Sequence, residues 1–328
     1  MNSELNKILG RDFFIGFFLP SLFFLGANWV LLQLLGHPLT WPKLEGDKIF
    51  EGAALAGLAV WIFAIFLQAL NRPLFRFTEG YWPKKFWYLF TIHQRKRHKT
   101  LSDKLISLRH KWNNSKDNDP ALSKELEACW RESVIQYPSR EELVLPTTFG
   151  NVVRAYEDYS RVLYGFESIQ GWCRLQAYMS KPFREVLGRD RAQVDLWLNM
   201  CFLSVLVAVE VFAFCWWWNC ATFVWLGASM FLLALVAYVQ ARDSAEQYGE
   251  QVKAAFDVYL PALARTLGYN LSCDPDVNKE FWKTYSYVMV YHDEESLDSM
   301  ATVRLTRATI RQAEDKESAG GSDGTDED

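Results

Sequence analysis

The sequence predicts an all-α integral membrane protein with four transmembrane helices arranged as two hairpins. The prediction comes from four long apolar runs, a basic stretch beside the second run, and a cluster of tryptophans between the third and fourth. Half of the 328 residues are apolar, yet the mean hydropathy is only −0.08, because apolar and charged residues occupy separate stretches. Such segregation is expected when lipid surrounds some segments and water surrounds the rest.

The first hairpin is predicted within residues 1–70. Its first run, from Phe13 to about Leu35, has no charged residue and is long enough to cross ~30 Å of hydrocarbon. Its second run extends from about Phe50 to Leu70 and begins with small residues. Gly52 pairs with Ala56, and Ala53 with Gly57, at four-residue spacing, which predicts close packing of this helix against another in lipid. A span that contains small residues without any packing role explains the two pairs equally well.

The second hairpin is predicted at residues 196–241. Leu196 to about Trp218 forms one run, and Ala221 to about Gln240 forms the other. Tryptophan prefers the membrane–water boundary, which places the turn near Asn219 at that level. The tryptophans concerned are Trp216, Trp217, Trp218 and Trp225.

The distribution of Lys and Arg predicts the orientation of the spans. Eleven of these residues lie between Arg72 and Lys111, whereas the loop between the first two runs has only Lys43 and Lys48. Positive charge favours the cytoplasmic side, so residues 71–195 and both termini are predicted to be cytoplasmic. Residues 71–195 then form a helical insert, residues 242–311 a cytoplasmic helical region, and residues 312–328 a disordered acidic tail.

Several finer predictions concern the helices outside the apolar runs. The second span should end or kink at Asn71–Pro73, because proline lacks an amide donor. A helix at 172–187 should lead directly into the third span, and the fourth should continue into water with a kink near Pro261. Other helices are predicted at 122–137, 152–164 and 297–310, whereas 280–292 fits either helix or strand.

The basic start of the insert predicts contact with anionic lipid headgroups, which attract juxtamembrane Lys and Arg by roughly 1 kcal/mol each. Nucleic acid is the alternative partner for such charge, but no recognition motif accompanies it, and we disfavour it. The residues assigned to lipid contact are Lys84, Lys85, Arg95, Lys96, Arg97 and Lys99.

Glu210 is the only ionisable side chain well inside a predicted span. A carboxyl group in hydrocarbon is costly, so it must face a partner, a cavity or water. Such acids often mark ion or proton paths. Equally, Glu210 could hydrogen-bond a neighbouring helix for structural reasons, with Asn28 as the candidate partner.

The sequence gives no catalytic motif, cofactor or metal site. Phosphate-binding, dinucleotide-binding, zinc-protease and nucleophile-elbow signatures are absent, and residues 274–285 depart from a calcium loop at the turn glycine and the final glutamate. None of the six cysteines forms a C-x-x-C pair, which is typical of a reduced cytoplasm.

Two stretches resemble a group of uncharacterised bacterial four-span inner membrane proteins. They are residues 71–82, which follow the second run, and residues 149–165 of the insert. The resemblance implies a bacterial inner membrane location with a cytoplasmic helical insert, and it brings no activity, cofactor or catalytic residue.

These observations favour a non-enzymatic inner membrane protein that works by assembly, with itself or with a cytoplasmic protein. Its cytoplasmic lobe would bind a partner or signal, and its spans would serve as anchor or pore. A stress or phage-defence effector is one version, by analogy of architecture alone. The alternatives are an oligomeric channel or transporter using Glu210, and a membrane-bound enzyme with its site within residues 71–195.

Overall fold

The computed structural model describes residues 10–34, 48–81, 84–114, 119–218 and 221–293, and this part of the chain is almost entirely helical. Four of its helices are long and apolar enough to cross a membrane, which confirms the predicted number of spans. In chain order the helices are α1 (Arg11–Leu34), α2 (Lys48–Glu79), α3 (Lys84–Asn114), α4 (Pro120–Gln136), α5 (Thr148–Tyr164), α6 (Ser168–Tyr178), α7 (Lys181–Trp218), α8 (Val224–Thr266) and α9 (Pro275–Tyr291).

Helix α2 continues through Pro73 to Glu79, so it does not end at this proline, and the predicted alternative of a kink there stays a prediction. Packing on the far side of the proline explains the continuation. Leu74 packs against an apolar core, and the Phe75 ring lies 5.2 Å from the ring of Phe149. The helix ends at Gly80, whose φ of +92° is a left-handed conformation that favours glycine.

Helices α3 and α4 form an antiparallel pair. Arg97 lies 3.5 Å from Glu132, and Lys104 lies 3.1 Å from Glu125, so positions later in α3 face positions earlier in α4. Asp119 caps α4 by accepting a hydrogen bond from the Ala121 amide at 2.9 Å. The pair therefore places some of the basic residues of α3 against acids of the same chain.

The helix is interrupted between α6 and α7, where the sequence predicted one helix from 172 to 187 leading into the third span. Helix α6 ends at Tyr178, Met179 has a ψ of 142°, and α7 begins at Lys181. Pro182 favours a helix start because its missing amide is not needed there. Pro261, in contrast, lies inside the continuous helix α8.

Helix α9 resolves the ambiguity between helix and strand at residues 280–292. Asp274 caps its start by accepting from the Asp276 amide at 2.9 Å, and Pro275 occupies the first turn. The predicted turn at Asn219, the helix at 297–310 and the tail at 312–328 lie outside the described residues.

Contacts divide the chain into two compact units. The first comprises residues 1–155 and 185–250, and the second comprises residues 156–184 and 251–328, so two of the three boundaries fall within the insert predicted at 71–195. The first unit has an apolar core formed by Phe13, Phe17, Ala64, Leu67 and Leu203. In the second unit the Phe166 ring packs 5.1 Å from Trp282 and 6.0 Å from Phe256.

Candidate functional site

Polar side chains lie buried among the spans of the first unit. The first contact involves a π-helical stretch of α1, Phe14–Phe18, of a kind that often occurs at functional sites. The buried Gly16 carbonyl accepts a hydrogen bond of 2.9 Å from Asn199 Nδ2 on α7. A Cβ atom at Gly16 would lie 3.3 Å from Asp195 Cβ, so glycine lets α1 and α7 approach closely here.

Asp195 joins three elements near the start of the apolar part of α7. It is 6% exposed, and its Oδ1 accepts from Asn71 Nδ2 on α2 at 3.2 Å. The same oxygen lies 3.3 Å from Nε of Arg191, one turn earlier on α7. The Arg191 guanidinium also stacks 4.2 Å from the Phe75 ring centre and lies 5.9 Å from that of Tyr248 on α8. The buried Asp195 carboxylate therefore has both a cation and a hydrogen-bond donor beside it, and these offset the free-energy cost of removing its charge from water.

Glu210 lies further along α7 and meets Asn28 of α1. The Asn28 side chain hydrogen-bonds the Glu210 carboxyl group. It also donates to the Phe24 carbonyl within its own helix at 3.2 Å. An apolar cluster adjoins this contact, with Leu31 of α1 packed against Val207 and Val211 of α7. The two residues singled out from the sequence are therefore brought together between two spans.

The polar residues of α7 that make these contacts share one face of the helix. Asp195, Asn199 and Glu210 are separated by four and eleven residues, which places them within about 60° of each other and spreads them over about 22 Å of helix. Gly16 meets Asn199 and Asn28 meets Glu210, so α1 lies parallel to α7 along this face. We call this row of contacts, from Asp195 to Glu210, the polar seam.

The polar seam contains oxygen atoms that the described residues leave without a hydrogen-bond partner. These buried atoms are Asn71 Oδ1, Asn199 Oδ1 and Glu210 Oε2; a fourth such atom, Ser204 Oγ, lies on the opposite face of α7 and outside the polar seam. An unsatisfied buried polar atom costs about 1–3 kcal/mol, and all four can accept a hydrogen bond. Water, a proton or a small cation would satisfy them.

The residues predicted to bind anionic lipid have mixed environments. Arg95, Lys96 and Lys99 are exposed on α3, whereas Arg97 is engaged with Glu132. The side chains of Lys84 and Lys85 lie outside the described part. Nearby, burial lowers the pKa of His98, whose ring lies 5.2 Å from that of Tyr137.

Three of the four predicted small-residue packing positions on α2 face away from the other described residues. Gly52 is buried, but Ala53, Ala56 and Gly57 are exposed, and a Cβ at Gly57 would meet nothing within 4 Å. These positions are open to lipid or to another protein. The tryptophans near the predicted turn are also exposed: Trp216 by 88%, Trp217 by 78% and Trp225 by 82%.

The second unit presents polar clusters of its own. Asp257 accepts hydrogen bonds from Tyr164 at 2.7 Å and from Tyr159 at 3.0 Å. Burial and this bond raise the pKa of the Tyr164 hydroxyl, so it stays protonated at neutral pH. A groove of about 930 Å³ lies beside α9, and basic and aromatic side chains line it together with acids. No group of His, Cys, Asp and Glu suited to a metal occurs among the described residues.

Sequence reasoning identified Glu210 and Asn28 but missed Asn71, Arg191, Asp195 and Asn199. The spacing of Asp195, Asn199 and Glu210 on one helical face was a usable signal. Asn71 and Gly16 had no such signal, because only tertiary packing brings α1 and α2 to that face. On α5, Arg161 Nε donates to Asp158 at 3.0 Å, and Arg154 donates to the Tyr81 hydroxyl.

Comparison of the chain with protein-family models, curated proteins and solved structures finds no match. The resemblance to bacterial four-span proteins therefore stays a prediction, and function must be inferred from the chain itself.

Proposed function

We propose that the chain is a non-enzymatic, multi-pass inner membrane protein whose spans act as a pore for protons or small cations along the polar seam. Glu210 carries the proposal. It lies in the most apolar part of α7, one carboxyl oxygen has no partner among the described residues, and Asn28 holds the group against α1. A carboxyl group that can exchange a proton in such a place is typical of ion and proton paths.

The extent of the polar seam supports transport rather than a single structural contact. Its residues span about 22 Å of helix, which is roughly two thirds of the hydrocarbon thickness. At three levels it offers acceptor oxygens that have no donor among the described residues: Asn71 Oδ1 beside Asp195, Asn199 Oδ1 and Glu210 Oε2. Water entering between α1 and α7 would link these levels and relieve the cost of the unsatisfied atoms.

Self-assembly completes the proposal. Four spans are few for a transporter in one chain, and α2 leaves its small residues Ala53, Ala56 and Gly57 exposed. Small residues at four-residue spacing support helix association in lipid. We therefore propose a homo-oligomer that packs through this face of α2, in the bacterial inner membrane with both termini in the cytoplasm.

The second unit would receive the partner or signal on the cytoplasmic side. Its groove of about 930 Å³ is lined by three bases, three acids and the rings of Tyr287 and Tyr291; the charged residues are Arg161, Lys279, Lys283, Glu167, Asp276 and Glu280. Side chains of both charges beside aromatic rings suit a planar ligand that carries polar groups. If binding there opened the pore, the result would be membrane permeabilisation, as expected of a stress or phage-defence effector.

Flux through the purified protein tests the pore. The full chain is reconstituted in vesicles containing a pH-sensitive dye, and proton entry is followed after a potassium–valinomycin potential is applied. We expect Glu210→Gln to reduce entry by an order of magnitude or more. Asp190→Asn is the matched control, because it changes a carboxyl group on another face of α7 and should leave entry unchanged.

A membrane anchor is the second candidate. The bond from Asn199 to the Gly16 carbonyl resembles the hydrogen bonds that hold helices together in lipid. Equal flux in the original chain, Glu210→Gln and protein-free vesicles, with intact folding, would reject the pore and favour the anchor.

A further inference from the structure

A largely apolar cavity of about 520 Å³ lies in the first unit, on a different face of α7 from the polar seam. Its walls come from the end of α2 and the middle of α7 and α8, all three candidate spans, together with the start of α3 and the turn before α5. On α7 it is lined by Leu198, Phe202 and Val205, about 100° around the helix from the polar seam. Its volume is in the usual range of ligand pockets, ~300–1,000 Å³.

The polar groups of the wall are already bonded to one another. The hydroxyls of Thr148 and Tyr238 lie 3.0 Å apart, and Thr147 donates to the Thr78 carbonyl at 2.8 Å. Gln94 Oε1 accepts from the Tyr137 hydroxyl at 3.0 Å. Few polar atoms of the wall are therefore left to bind water or a polar ligand. A hydrocarbon chain would make the most favourable contacts with an apolar cavity of this size.

The start of α3 connects the cavity with the surroundings of the spans. Trp87 and Phe90 line the cavity, and Phe90 is 50% exposed at its rim. Tyr88 and Leu89, on the outer side of the same turn, are 66% and 74% exposed. A helix start with such residues is typical of segments that lie in the membrane interface. The cavity therefore adjoins the region where lipid chains meet headgroups.

We propose that this cavity binds one acyl chain of an anionic phospholipid, with the headgroup over the basic part of α3. Arg95 and Lys96 are exposed and directly follow Gln94, the last residue of α3 in the cavity wall. A phosphate there would gain charge-assisted hydrogen bonds. The site would fix the start of α3 against α7 and α8, and it is independent of the proton path.

Photo-crosslinking tests the site directly. The full chain is placed in phosphatidylcholine nanodiscs doped with a phosphatidylglycerol that carries a diazirine on one acyl chain, irradiated, and digested for mass spectrometry. We expect adducts concentrated at residues 198–205 and 87–94, well above those on the exposed α7 positions Val209 and Phe212. A phosphatidylcholine probe with the same chain should label these residues several-fold less.

Two variants of α7 give a matched comparison. Val205→Trp fills the cavity and should lower its adducts several-fold, whereas Val209→Trp lies one turn further along, outside the cavity, and should not. Adducts spread evenly over exposed span surfaces, or cavity adducts unchanged in a folded Val205→Trp chain, would overturn the site. Equal labelling by the two probes would overturn the anionic headgroup. Should Val205→Trp fail to fold, the adduct map of the unaltered chain decides.

Discussion

Replacing Arg191 by methionine leaves the Asp195 carboxyl group buried without its cation. Asp195 is held by the bond from Asn71 and by the 3.3 Å contact with Arg191 Nε. Methionine keeps an unbranched apolar side chain but removes the guanidinium, with its charge, its hydrogen bonds and its stacking on the Phe75 ring. The converse change, Asp195→Asn, removes the negative charge but keeps an oxygen that can accept from Asn71.

The two replacements should differ in size because the two side chains differ in burial. Breaking a buried ion pair from one side costs about 3–5 kcal/mol. The Arg191 side chain is 34% exposed and that of Asp195 only 8%, so the stranded carboxyl group suffers more than a stranded guanidinium. We expect about 3 kcal/mol for Arg191→Met and about 1–2 kcal/mol for Asp195→Asn. The double variant should lose less than the sum, with a coupling of about 1–3 kcal/mol.

Reversible unfolding in mixed micelles of mild detergent and dodecyl sulfate, followed by circular dichroism, measures these differences. Arg189→Met is the control, because Arg189 is half-exposed and forms an ion pair of 3.5 Å with Asp190. That surface pair should contribute at most about 1 kcal/mol. Equal losses for Arg191→Met and Arg189→Met, or strictly additive losses in the double variant, would refute the assignment of Asp195 as a buried, cation-dependent group.

Two further predictions concern packing and pH. Gly16→Ala should lower the unfolding free energy by about 1–3 kcal/mol, because the added Cβ would lie 3.3 Å from Asp195 Cβ. Gly57→Ala meets open space and should stabilise α2 by about 0.5–1 kcal/mol. Equal Tm shifts of the two variants in detergent would contradict this difference. Burial lowers the pKa of His98, so the folded chain binds fewer protons than the unfolded chain. The stabilising contribution of His98 should therefore be complete above pH 6.5, the ordinary pKa of histidine, and decrease as the pH falls below it. His98→Gln should weaken this dependence in a series of Tm values measured at different pH. An unchanged slope would exclude His98 as its source.

Local composition was sufficient to predict the spans. An apolar run without charge between Phe13 and Leu35 has few alternatives to a helix in lipid, because every backbone amide must be bonded within the segment. The structure accordingly places α1 at Arg11–Leu34. Glu210 was equally visible, since a single carboxyl group inside such a run stands out against its neighbours.

Local signals failed where packing outweighed them. Pro73 predicted an end or a kink, and the end does not occur, because contacts of Leu74 and Phe75 beyond it keep α2 helical to Glu79. Helical periodicity in the sequence continued across Met179–Ser180, but the helix is interrupted at these two residues, just before Pro182. Each element is decided by the balance of a local preference, usually about 1–3 kcal/mol, against contacts with distant residues.

The sequence by itself determined the number of spans and placed one acid within them, because hydrophobicity over some twenty residues is a property of the segment alone. Only the tertiary structure showed that Glu210 is part of a row of polar contacts between helices. Asn71 is 124 positions from Asp195, and Gly16 is 183 positions from Asn199. The polar seam exists because the packing of α1, α2 and α7 brings these residues within hydrogen-bond distance, and no local pattern encodes that packing.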